Sequence, residues 1–313
     1  VGKIMKLPSD LLKLPLKIDA ERLAYEVAQI PHSAWSTNPS GLYGNSGLVL
    51  VSVNGEINDD FAISGPMQAT KHLLACPYMQ QIFAALKAPI SRSRLMMLAP
   101  GASANTHLDA RYHWFRRIRL HIPVVTNPEA FFTCNGETVH MEVGEVWTFN
   151  SAKPHAAENF SDKGRIHLVI DTKGSPELDE LLQNAKHLPE QFIPYDPDMQ
   201  ASLEIEPYFF EVLTPDEITM MFDHVYQYVR NQLTLRQAEA LLTSASMIKQ
   251  GWQEAFAQYG HSVSGKATYQ QLIEQFVAEI KQPIDHLIPK HDMSRFYLEV
   301  ISGMFTMTNR VCY

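Results

Sequence analysis

His107-Leu108-Asp109 sets an imidazole and a carboxylate two positions apart. In an extended chain residues i and i+2 face the same way, so both groups can reach one point. His155, directly after Pro154, can bring a third donor from a distant strand. Two imidazoles and one carboxylate make a facial set that leaves three neighbouring positions of an octahedral Fe(II) open. Open positions point to chemistry at the metal. A closed structural zinc is disfavoured, because no cysteines stand near these residues at ligand spacing. Arg165 lies ten residues beyond His155 at the start of a β-like run, where its guanidinium can fork onto a carboxylate. An anion clamp beside open metal positions suits a keto-acid cosubstrate.

Other residues compete for these roles. A His-x-Asp pair is weak evidence by itself in a chain with 13 histidines, and Arg165 and His155 supply the context. His140-Met141-Glu142 offers a rival bite, but no arginine follows it at a suitable interval. Arg119 and His121 share one side of a strand, where they face either the site or the exterior. His113 and His167 read as structural histidines or as partners orienting a ligand, and Trp147 reads as core. Arg111, Arg116, Arg117 and Arg119 read as a solvated face with one anion contact. A nucleic-acid patch is disfavoured by 34 acidic against 26 basic residues, a net charge of −8.

These residues must be held by something rigid. The 313 residues suit a main domain with an appendage, and 45% hydrophobic with 19% charged residues excludes a disordered chain. Three cysteines, Cys76, Cys134 and Cys312, are too few for a disulfide framework, and no apolar run approaches the roughly 20 residues of a membrane span. A cytoplasmic protein without membrane or nucleic-acid partners is expected. Asp19 predicts a helix over 20–30 closed by Pro31, Leu48–Val53 a strand, and Pro77–Leu86 a short amphipathic helix.

Between about Ser91 and Thr172 the pattern becomes β-rich: Arg92–Leu98, Arg117–Val125, Ala130–Cys134, Thr138–Val143, Val146–Phe149 and Arg165–Asp171. Closely spaced strands of this kind predict an antiparallel sandwich or barrel, with Asn135-Gly136 as a type I′ hairpin turn. Neither GxGxxG nor GxxxxGK[ST] occurs, which argues against a nucleotide-binding domain. From Ser175 the period turns helical. Helix starts with capping-box spacing are predicted at Thr214/Glu217, Thr234/Gln237 and Thr268/Gln271, and Pro189–Pro207 reads as a linker or extended cover. Leu241, Ala245, Ile248, Trp252 and Phe256 form a core-packing stripe. The expected division is 1–174 and 175–313.

The stretches His107-Leu-Asp109, Arg117-Ile-Arg119-Leu-His121, Gly144-Glu-Val-Trp147, Pro154-His155 and Arg165-Ile-His167-Leu-Val-Ile-Asp171 together resemble the aspartyl/asparaginyl β-hydroxylase family of Fe(II)/2-oxoglutarate dioxygenases. Within it they look like the bacterial L-proline cis-4-hydroxylase branch. The resemblance is dense from Arg94 to Asp171. It implies a double-stranded β-helix (a cupin-like jelly roll) with N-terminal α/β elements and a C-terminal helical region. It implies that His107, Asp109 and His155 hold Fe(II) and that Arg165 binds the distal carboxylate of 2-oxoglutarate. Arg119 and His121 match the family's Arg-x-His pair, which faces the cosubstrate.

The activity so implied is O2-dependent hydroxylation of an unactivated C–H in a small amino-acid-like substrate, a proline-like one among the candidates, with release of succinate and CO2. Retention of Asp109 favours hydroxylation over halogenation. Two other expectations stand beside it: hydroxylation of a peptide- or carrier-tethered Asp/Asn-type residue, and a non-catalytic metal-binding sensor or scaffold. A homodimer through the helical region is among the expected partners.

Overall fold

The structure, a computed structural model, describes residues 7–37, 44–57, 65–107, 109, 116–208, 212–230 and 233–285. In chain order its strands are β1 (Leu11–Ile18), β2 (Ser36–Thr37), β3 (Asn45–Val53), β4 (Met67–Ala69), β5 (Ile90–Leu98), β6 (Ser103–His107), β7 (Ile118–Val125), β8 (Ala130–Cys134), β9 (Glu137–Val139), β10 (Glu145–Phe149), β11 (His155–Asn159), β12 (Arg165–Thr172) and β13 (Gln191–Ile193). A large sheet runs β13-β1-β10-β7-β12-β5-β3-β2, with β4 beside β3, and a small sheet runs β6-β11-β8-β9. Its hairpin β8–β9 turns on Asn135 and Gly136, both at positive φ as a type I′ turn requires.

The large sheet has two unlike faces because side chains alternate along each strand. One face carries Leu12, Leu14, Leu95, Leu120, Ile122, Leu168 and Ile170 into a buried cluster. Helices α1 (Ala20–Ala28) and, after the short α2 (Lys71–Leu74), α3 (Pro77–Ala85) cover it with Leu23, Val27, Tyr78, Ile82 and Phe83. The opposite face meets the small sheet: Leu11, Leu98 and Phe149 pack with Phe132, Cys134 and Ala157. The result is a two-sheet sandwich, and Arg119, His121, Arg165, His167 and Asp171 alternate in phase with the helix-covered residues, on the face between the sheets.

Local chemistry explains the helix starts. The Asp19 carboxylate accepts the Arg22 N–H at 3.0 Å and opens α1, which stops at Ala28, short of the expected Ile30. At α3 the capping position is Cys76, whose side chain makes no cap. Glu26 on α1 takes over, accepting the Tyr78 and Met79 N–H groups at 2.8 and 3.0 Å, where the helix dipole favours a carboxylate.

The period changes at Ser175, yet the first compact unit runs on to Tyr208. Helix α4 (Pro176–Gln183) sends Leu178 and Leu182 into the core behind the large sheet. Strand β13 pairs in parallel with β1, Ile205 bridges to Ile90, and buried Glu206 binds Arg117 and Lys173. The Pro189–Pro207 stretch is therefore an extended cover.

Among the described residues the second unit contains α5 (Pro215–Val229), α6 (Leu235–Tyr259) and α7 (Lys266–Asp285). Capping boxes form at Thr214/Glu217 and Thr234/Gln237 as expected. Thr268 caps nothing: α7 starts at Lys266, fed directly by the 3₁₀ turn Val263–Gly265, which places Thr268 inside the first turn. Trp252 is fully buried, packs with its ring tilted against Tyr269 at a centroid distance of 4.7 Å and donates its indole N–H to the Leu213 carbonyl at 2.7 Å. Ala255 is the buried residue at the end of the stripe, while Phe256 is only partly buried and packs edge-on against His261. Among the described residues no helix is long and apolar enough to cross a membrane.

Candidate metal centre

His107 ends β6 and His155 begins β11, and the two are direct cross-strand partners, with ring centroids 4.3 Å apart. Asp109 lies just past β6, held by its N–H donating to the Ser151 carbonyl at 2.9 Å. One ligand atom from each of the three residues falls within 4.8 Å of the others. Antiparallel pairing thus gathers residues separated by nearly fifty positions of sequence.

The hydrogen bonds dictate which nitrogen faces the centre. The Nδ1 of His107 lies 2.7 Å from the Asn105 carbonyl, and that of His155 lies 2.9 Å from the Lys153 carbonyl. A carbonyl only accepts, so both Nδ1 atoms carry a proton, and Nε2 is the ring atom whose lone pair each neutral imidazole offers to a metal. Burial pushes His155 down to about 4, against the pull of Asp109, so its imidazole is neutral near pH 7.

At Asp109 burial works to raise the pKa, but the Arg119 guanidinium and the two imidazoles outweigh it and hold the carboxyl below its ordinary range. Arg119 donates from Nη1 to Asp109 Oδ2 at 2.7 Å and from Nε to Asp171 Oδ1 at 3.0 Å, Asp171 being its cross-strand partner on β12. Neutral imidazole lone pairs and an ionised carboxylate are the donor set of a divalent transition metal, and the three residues fit Fe(II).

Arg165 stands at the start of β12 and is 4% exposed. Its Nη2 donates to His167 Nδ1 at 3.0 Å, and burial pushes its pKa down to about 9. Among the described residues no carboxylate pairs with it. His121 sits on β7 between Phe132 and Phe149, at centroid distances of 5.4 and 5.3 Å. Burial, then Arg165 and Arg119, lowers its pKa well below the ordinary imidazole value. Phe149 also lies 4.7 Å from the His155 ring, so the two phenylalanines form an apolar wall shared by the centre and His121.

Several sequence readings change here. Arg119 and His121 are buried, which removes the exterior-strand alternative. Arg116 and Arg119 are buried, and Arg117 is clamped on buried Glu206, so these three are no solvated face. Arg111 and His113 lie outside the described residues. The rival pair His140 and Glu142 forms a 3.5 Å contact with an exposed carboxylate, and among the described residues no third donor joins it. Phe132 and Phe149 have no role in the sequence reading, and Asp171 enters it only as the end of a motif stretch. For Asp171 a signal existed, since Arg165, His167, Val169 and Asp171 share one strand face.

Residues 48–174 match the family description Aspartyl/Asparaginyl beta-hydroxylase. The chain is 25% identical over 175 residues to L-proline cis-3-hydroxylase 1 of Streptomyces sp, covering 53% of this chain and 60% of that protein. It is 26% identical over 179 residues to L-proline cis-4-hydroxylase of Rhizobium meliloti (strain 1021), covering 55% and 63%. The match thus spans about three fifths of the length of these relatives. Among solved structures it is similar to a prolyl hydroxylase in complex with a hypoxia inducible factor oxygen degradation domain peptide fragment from Trichoplax adhaerens, with 10% identity, 56% and 87% coverage and a TM-score of 0.39. The resemblance read from the motifs is borne out by the family match.

Proposed function

We propose that this chain, whose residues 48–174 belong to the aspartyl/asparaginyl β-hydroxylase family, is an Fe(II)- and 2-oxoglutarate-dependent hydroxylase of a small amino-acid-like substrate. The names of its relatives favour a proline-like ring as that substrate. The observation that carries the reading is one juxtaposition: a His-Asp-His donor set and, on the same side of the large sheet, a buried arginine with no carboxylate partner among the described residues. A buried cation left unpaired is costly unless a ligand completes it. The two-sheet sandwich supports the jelly-roll assignment.

His107, Asp109 and His155 would hold the iron. When bound, the iron supplies C–H oxidation driven by O2 and 2-oxoglutarate, with succinate and CO2 as by-products. The carbonyls of Asn105 and Lys153 fix the imidazole tautomers, so both lone pairs are ready before the metal arrives. Arg119, itself braced by Asp171, orients Asp109 and keeps it ionised. Arg165 receives the distal carboxylate of the cosubstrate by charge-assisted hydrogen bonds. In the Arg-x-His pair that the resemblance assigns to the cosubstrate, Arg119 is engaged by the two carboxylates, and His121 forms part of the wall with Phe132 and Phe149 that excludes water.

The test is turnover with Fe(II), 2-oxoglutarate and a panel of free amino acids, read as succinate together with a product heavier by one oxygen. Coupled formation of both with a cyclic imino acid is expected. Succinate without any oxygenated free amino acid would overturn the small-substrate assignment, and no succinate with any candidate, peptides included, would overturn the enzyme reading.

A further inference from the structure

The partner that holds Arg165 is itself unusual. Its Nη2 lies 3.0 Å from Nδ1 of His167, on the same strand face two residues on. A guanidinium only donates, so His167 Nδ1 accepts and the ring carries its proton on Nε2. His121 Nδ1 approaches the same acceptor at 3.4 Å and must then donate to it. Burial, followed by the Arg165 charge, drives His167 well below the ordinary imidazole pKa, in keeping with a neutral ring. The His167 Nε2–H is buried and has no hydrogen-bond partner among the described residues, an arrangement that costs stability and that an apolar side chain would avoid.

We infer that His167 is a positioning residue that aims the Arg165 guanidinium through a neutral acceptor, so that the cation is oriented without being neutralised and stays available to a carboxylate ligand. Arg119 is the counterexample on the neighbouring strand: two carboxylates hold that guanidinium and satisfy its charge. A carboxylate at position 167 would hold Arg165 equally firmly but would compete with any anionic ligand for it. His121, as second donor to the same nitrogen, keeps the His167 ring from turning. The inference rests on Arg165 being the anion receptor of the proposed function.

The experiment titrates 2-oxoglutarate calorimetrically, without O2, into the full-length protein loaded with Mn(II). His167→Leu should weaken 2-oxoglutarate binding by about tenfold or more, the value of one lost charge-assisted hydrogen bond. His167→Asn places an amide oxygen near the position of Nδ1 and should restore affinity to within about threefold of the parent. Mn(II) affinity should be unchanged in both. His167→Asp matches Asn in size but adds the competing charge, and should bind at least about tenfold more weakly than Asn, a contrast that stands even if the Leu variant fails to fold. Parent-like affinity in the Leu variant, or equal affinity in Asp and Asn, overturns the inference alone. A parent protein that binds Mn(II) but not 2-oxoglutarate overturns the reading of Arg165 as well.

Discussion

Two arginines on neighbouring strands of one sheet face live in opposite electrostatic worlds. Arg119 on β7 is pinned between Asp109 and Asp171, and those carboxylates outweigh the cost of its burial, so its pKa is raised. Arg165 on β12 is as deeply buried but is held by a neutral imidazole, and its pKa falls to about 9. The same residue type on the same kind of strand thus serves two ends. The first arginine braces Asp109 of the His-Asp-His cluster, and under the proposed function the second is the receptor for an anionic ligand.

The sharpest way to break this comparison is to remove each cation in turn. Arg119→Met removes the cation that Asp109 and Asp171 share in the interior, and should destabilise the first unit by about 3–5 kcal/mol in chemical denaturation while weakening Mn(II) binding. Arg165→Met removes a buried charge that has no carboxylate partner among the described residues, and should leave the denaturation midpoint unchanged or raised. Equal destabilisation by the two substitutions would show that Arg165 is paired after all.

A third arginine supplies a paired control outside the centre. Glu206, bound by Arg117 and Lys173, has its pKa lowered from 4.5 to about 2: burial opposes ionisation, and the two cations overcome it. Because the folded pKa lies below the unfolded one, its contribution is fully present above about pH 4.5 and disappears as pH falls toward 2, on the order of 3 kcal/mol at most. Glu206→Gln should therefore flatten the acid limb of a stability-against-pH curve over that window. An unaltered acid limb would mean that the clamp contributes nothing measurable.

Smaller still is the effect of changing shape and keeping charge. Arg165→Lys retains the cation but loses the planar fork, and should raise the KM for 2-oxoglutarate by about tenfold or more with Mn(II) affinity preserved. Cosubstrate dependence equal to the parent's would place the anion receptor elsewhere.

Much of the centre was legible in the amino-acid sequence. His107 and Asp109 declare themselves by the two-residue strand spacing, and Asn135-Gly136 marks its hairpin because few other pairs tolerate positive φ twice. The capping boxes at Thr214 and Thr234 are equally local, since donor and acceptor lie three residues apart. Thr268 misled for the same reason: the spacing is present, but the preceding 3₁₀ turn had already launched the helix. The edge of the first unit was hidden because hydrophobic period reports element type and is silent about partners. Helix α4 and strand β13 look like the start of a helical region, yet both pack on or pair with the sheet sandwich.

Sequence alone therefore determined the chemical inventory, the strand phase and most helix starts, all properties set within a few residues by backbone sterics and local hydrogen bonds. Only the tertiary structure decided which charges meet. Register across β7 and β12 sets Asp171 opposite Arg119, and the β6–β11 pairing sets His155 opposite His107. Whether an arginine is quenched or waiting depends on neighbours dozens of residues away, because Coulomb interactions in a buried site follow distance in space and not along the chain.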